Sequence, residues 1–442
     1  STVCIFCLYY VKNNLRRNIF MSYNPFLAKP KKLESTIMSF KMLSPKPYNK
    51  DEVDPYTRVR CILMNGTEYE AVWSKHHFNR HCGDNELRRA VGFIRNSEQQ
   101  QQKLISALKP IDENVLQTTL GYEQLAVDLT AILAQRQTNK FVKDALDFAL
   151  LEDFDHLYRY ANLLETDMGE HAEKYIGSYT EIMPGRPTVA HHRHPFDNIK
   201  KPISNISADP ITKCDVSIIT AAEQQTMNYY MNLGAFYKHQ KGREVYTEIA
   251  MVEEEHVSQY GSLIDPSMTM LDDLLMHEYI ESYLYFSMYN DEIDSHIKQI
   301  WEMLFEQELS HLHATLALVR KYENKDWFDV IPSGDYPELL KFSPQKEYVR
   351  KVLGETVCNT SLYEGYINVT KLPDNANFFE YQKRAVKDVQ TMPSHIVIDD
   401  HIKAFKTDYR LQDKEHPVKS LRDRKDDNIT TVSYTHLTLP TT

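Results

Sequence analysis

One spacing constrains this chain more than any other feature. The interval from Glu223 to Glu253 is repeated from Glu278 to Glu308. In both cases a histidine follows at i+3 from the second glutamate: His256 after Glu253, and His311 after Glu308. The shift that superposes the two units also carries Tyr230 onto Tyr285. Helical positions i and i+3 share a face, so each Glu-x-x-His pair points one way. The long interval fits two arms of roughly 14 residues and a short turn, at ~1.5 Å rise per residue. The spacing therefore predicts two related helical hairpins that combine into one four-helix bundle.

Apolar residues flank the repeated positions: Ile249, Val252 and Tyr260 on one helix, Leu304, Leu312 and Leu316 on another. That pattern places Glu253, His256, Glu308 and His311 on an inward face, while Glu254 and Glu255 are expected on the solvent side. Carboxylates gathered in an apolar interior need protons or counter-ions. Two divalent cations would balance four glutamates and leave both imidazoles neutral. Carboxylate with imidazole suits iron or manganese, and a donor set without thiolate argues against structural zinc.

Residues 216–322 resemble the ferritin-like diiron carboxylate superfamily, most of all rubrerythrin. The similarity is carried by Ala222-Glu223, Glu253-x-x-His256, Glu308-x-x-His311, and Glu281 one turn beyond Glu278. The resemblance implies metal ligation by Glu223, Glu253, His256, Glu278, Glu308 and His311. It makes Glu281 an additional, redox-mobile and catalytic carboxylate. It also implies two iron ions, an oxidoreductase acting on peroxide or dioxygen, and possible pairing into a homodimer. The family's long crossover is absent, because only the short stretch from Val257 to His277 separates His256 from Glu278. A rubredoxin module would need two Cys pairs, and only Cys4-x-x-Cys7 is present, so electrons are expected from an external donor protein. Two manganese ions with donor-free peroxide disproportionation, and a ferroxidase, are rival readings of the same ligand set. A metal-stabilised structural or interaction protein is the rival from another class.

A larger shift along the chain yields a sparser copy, with Glu123 on Glu223, Asp153 on Glu253 and His156 on His256. Glu123, Asp153 and His156 are therefore read as a degenerate second site, eroded because no fourth Glu-x-x-His unit completes it. Tyr229, Tyr230, Tyr260, Tyr279, Tyr283 and Tyr285 flank the proposed ligands and are expected mostly in the core. His191, His192 and His194 are read as a solvated loop. His76, His77, His81 and Cys82 lack a second Cys/His pair at zinc spacing. His313 should point away from His311.

The expected fold is all-α: a ferritin-like four-helix bundle preceded by a related, degenerate helical unit, with a small N-terminal β-hairpin. Residues 1–41 are read as a disordered or non-native leader. Residues 42–84 hold the hairpin, at Val59 to Trp73, where Val59, Cys61 and Leu63 alternate before Asn65-Gly66. Residues 85–180 form the first helical unit, 181–214 a Pro/His-rich linker, 215–326 the diiron bundle, 327–413 a helical extension and 414–442 a disordered tail. Helices are expected over 85–108, 113–137, 139–166, 216–238, 242–262, 268–289 and 292–322, with two more at 344–360 and 376–391. Among 442 residues the net charge is −11, which disfavours nucleic acid because phosphate binding needs clustered basic surface. The longest uncharged apolar run, Thr2 to Val11, is well short of the ~20 residues that span a bilayer. Six scattered cysteines suit reduced thiols, so the expected location is cytoplasmic.

Overall fold

Side-chain caps start most of the long helices. In the computed structural model, which describes residues 23–406, 410 and 415–421, eight such helices form four consecutive hairpins. They are α1 (Pro55–His81) with α2 (Asn85–Ser106), α3 (Val115–Arg136) with α4 (Lys140–Met168), α5 (Pro210–Phe236) with α6 (Gln240–Gly261), and α7 (Met270–Asp291) with α8 (Ser295–Glu323). Asp54, Asp84, Asn139, Asp209, Thr269 and Asp294 each accept a backbone N–H from the first turn that follows. Asn114 and Gln117 close a capping box on α3. Pro55 and Pro210 occupy the first helical position, where a missing N–H costs nothing.

The hairpins do not pair in chain order. α3 packs on α5 and α4 on α6, so the second hairpin joins the third. α1 packs on α7 and α2 on α8, so the first joins the fourth. The first arms α1, α3, α5 and α7 meet in the middle, with α1 touching the other three. The expected bundle over 215–326, made from the third and fourth hairpins alone, is therefore not the one that forms. Connection length supplies a reason. Residues 107–114 and 262–269 are short links that set consecutive hairpins in different clusters, whereas residues 169–209 are long enough to carry the chain from one hairpin to its partner.

The expected β-hairpin at Val59 to Trp73 is instead the middle of α1. Its Asn65-Gly66 is used for packing rather than turning. A Cβ on Gly66 would lie 3.0 Å from the Gln225 side chain, whose Nε2 donates to the Ile62 carbonyl at 2.9 Å. α1 is buried on most of its circumference, so its apolar residues carry no clean helical stripe. Among the described residues the only strands are β1 (Asn359–Leu362) and β2 (Gly365–Asn368), an antiparallel pair after α9 (Lys346–Thr356). The helix expected over 376–391 breaks into short turns, and α10 (Pro393–Phe405) follows, packed on α4 and α6.

Three segments expected to be loose are packed. Of the leader, residues 1–22 lie outside the described residues. Phe26 is buried between Tyr279 and Trp327, at ring centroid distances of 5.8 and 5.1 Å. In the Pro/His-rich linker, His191 and His192 are buried rather than solvated. In the tail, His416 and Leu421 are buried, and the rest beyond 421 lies outside the described residues. No helix among the described residues is long and apolar enough to cross a membrane.

Candidate metal centre

Two buried clusters lie among the helices. The first takes one Glu from each inner arm, Glu123 on α3 and Glu223 on α5, and a carboxylate with a histidine from each outer arm. These are Asp153 and His156 on α4, and Glu253 and His256 on α6. One ligand atom from each of Glu123, Asp153, His156 and Glu253 lies within 4.8 Å of the others, and the same holds for Asp153, Glu223, Glu253 and His256. The two groups share Asp153 and Glu253. Two adjacent cation positions bridged by two carboxylates have this topology.

The surroundings aim the donors inward. Glu152 accepts from His256 Nε2 at 2.7 Å and turns Nδ1 toward Asp153, Glu253 and Glu223, at 3.2, 3.3 and 3.6 Å. Glu152 is held in turn by Arg193 at 2.9 Å, and Arg186 stands at 3.6 Å. Burial works against its charge, but Arg193, His256 and Arg186 keep it well below the usual carboxylate range. His156 Nδ1 lies 2.9 Å from Glu253, and Tyr230 Oη donates to Glu123 at 2.5 Å. Burial, together with neighbouring carboxylates, raises Glu123 and Glu223 well above the ordinary value. Glu253 goes the other way, to about 2, because His156 and His256 outweigh its burial.

The donors fit a pair of cations. Both oxygens of Asp153 and Glu223, one oxygen each of Glu123 and Glu253, His256 Nδ1 and His156 Nε2 are buried and have no hydrogen-bond partner among the described residues. Native interiors rarely leave so many polar atoms unpaired in one place.

The second cluster lies between the first and fourth hairpins. Glu98, Glu278, Glu308 and His311 bring ligand atoms within 4.8 Å of one another. Lys75 of α1 reaches in, its Nζ 2.5 Å from Glu98 and 3.0 Å from Glu278. Burial disfavours that ammonium, but Glu278, Glu98 and Glu281 raise its pKa well above the lysine norm. Gln101 Nε2 donates to Glu308 at 2.6 Å, and Tyr285 donates to Glu68. His311 Nδ1 lies 3.0 Å from Glu308; against its burial, Glu308, Glu278 and Glu98 raise it to about 9.

The expected ligands are thus divided. Glu223, Glu253 and His256 gather with Glu123, Asp153 and His156, the triplet read as degenerate, and not with Glu278, Glu308 and His311. Glu281 is buried one turn beyond Glu278 on α7 but is not one of the four donors of the second cluster. Glu255, expected in solvent, is buried against Arg193 at 2.9 Å. His313 does turn away, to the Pro25 carbonyl at 3.0 Å. Glu68, Lys75, Glu98, Gln101 and Glu152 were not foreseen. A signal for most of them existed: Glu68, Glu98 and Gln101 repeat the intervals of Glu223, Glu253 and His256, hidden because the first arm reads as a hairpin and Gln replaces His.

Comparison with protein-family models, with curated proteins and with solved structures finds no match to this chain.

Proposed function

We propose that Glu123, Asp153, His156, Glu223, Glu253 and His256 hold two divalent cations, in the manner of ferritin-like dinuclear carboxylate proteins. We further propose that the protein is an oxidoreductase acting on peroxide or dioxygen. The observation that carries this reading is the pair of four-donor groups sharing Asp153 and Glu253. Iron is the favoured metal and manganese the alternative, since both accept carboxylate and imidazole.

When bound, such a pair supplies electrons to an oxygen–oxygen bond and Lewis acidity to its oxygens. The chain's own residues prepare the place. Full burial of the six donors excludes bulk water. Glu152, fixed by Arg193, sets the orientation and tautomer of His256, so that Nε2 carries the proton and Nδ1 is free to ligate. Tyr230 Oη holds one oxygen of Glu123 and leaves the other free toward the centre. An external electron donor is part of the proposal.

The test is elemental analysis of protein purified without oxygen, followed by reduction and addition of peroxide. Two iron ions at this cluster and a peroxide-dependent change in the visible spectrum are expected. Full occupancy with no spectral response would sink the redox reading and leave a structural metal site. Manganese, with oxygen evolved in the absence of a donor, would replace iron by the alternative.

A further inference from the structure

We propose that the second cluster binds a single divalent cation through Glu98, Glu278, Glu308 and His311, with the ammonium of Lys75 standing where a second cation would otherwise sit. This goes beyond the two-cation reading of the first cluster and does not depend on it.

Three observations carry it. Glu98, Glu278, Glu308 and His311 form one four-donor group, all fully buried, and no second group shares its carboxylates among the described residues. A dinuclear arrangement would need that second group. Where the first cluster has His156, this one has Gln101, whose amide donates to Glu308 at 2.6 Å and adds no imidazole. Lys75 Nζ is placed on the Glu98 and Glu278 oxygens, at 2.5 and 3.0 Å, as a covalently attached cation.

One ammonium does not complete the cluster. His311 Nε2, one oxygen each of Glu68 and Glu308, and both oxygens of Glu98, Glu278 and Glu281 lack a hydrogen bond among the described residues, although Glu98 and Glu278 keep their ion pairs to Lys75. Glu281 is fully buried; His277 Nε2, at 3.9 Å, is the nearest basic atom found beside it. Burial and then the charges of Glu308, Glu98 and Glu68 raise its carboxyl well above the ordinary value. A polar ladder also leads inward. Asp273, His277 and Glu281 follow one another at i+4 on α7 and so share a face, and they run from exposed through half-buried to buried.

The experiment uses the full chain, stripped with chelator and dialysed against manganese(II), with metal counted per chain. Glu308→Gln preserves shape and is expected to lower the count by one. An unchanged count would show that the cluster holds no cation, and a loss of two would show that Lys75 displaces nothing. Glu253→Gln reports on the first cluster separately, so the two readings fail independently. In that variant the remaining manganese should give the resolved hyperfine spectrum of an isolated ion; a spin-coupled pair, or no bound manganese, would overturn the proposal. Lys75→Thr combined with Gln101→His should raise the count by one, and no increase would count against Lys75 as the stand-in. Circular dichroism of each variant confirms that it is folded.

Discussion

The two clusters are built on one repeat and differ at four of its polar places. Aligned by the tyrosine that donates to a glutamate in each, Lys75 corresponds to Thr130, Glu98 to Asp153, Gln101 to His156 and Glu281 to Thr226. The first cluster has two imidazoles and, among the described residues, no lysine between its donors; the second has one imidazole and carries an ammonium on its own chain. A helical hairpin of this kind is thus a frame for gathering carboxylates, and two turns after the first Glu one cluster places a lysine that pairs with two of them where the other has a threonine. A lysine there cannot dissociate, whereas a metal can.

The largest expected effect separates the clusters outright. Glu253→Gln removes a carboxylate shared by both four-donor groups, so both cations of the first cluster should be lost while the second keeps its own; metal counting reads this. Next is Lys75→Met, which leaves Glu98 and Glu278 buried without their ammonium. Breaking a buried pair from one side costs about 3–5 kcal/mol, to be read in the metal-free protein by urea unfolding. Chelation comes third. Removing a ligand held at ~100 times its dissociation constant forfeits about 2.7 kcal/mol, and the melting temperature should fall accordingly, with a smaller fall in Glu253→Gln. Tyr230→Phe deletes a hydrogen bond to a carboxylate, worth about 1.5–3 kcal/mol. Thr130→Val closes the series. Its hydroxyl is buried without a partner among the described residues, so the change should stay within about 1 kcal/mol. A Thr130 effect as large as that of Lys75 would abolish the contrast between the clusters.

Much of this was legible in the chain. All of the long helices except α1 were expected close to where they form, with ends displaced by up to six residues, as at 216–238 against Pro210–Phe236. Glu223, Glu253, His256, Glu278, Glu308 and His311 all turned out fully buried in clusters. α1 was missed because its inner position buries it on most sides, and Val59, Cys61 and Leu63 then alternate by accident before an Asn-Gly pair. Losing α1 concealed Glu68 and Lys75 and left the second hairpin without an evident companion, so Asp153 was read as erosion. The structure instead makes it one of two shared carboxylates.

What the sequence determined alone is local: capped helices, a constant return distance between arms, and acid and imidazole on one face of each outer arm. Those follow from rise, period and capping within a few turns of helix. Which hairpins meet is not local. It depends on the path of residues 169–209 and on how four inner arms bury one another's faces, and both are set by contacts between residues far apart in the chain. Only the folded arrangement could therefore decide that Glu123 faces Glu223, and that a lysine fills the corresponding place in the other cluster.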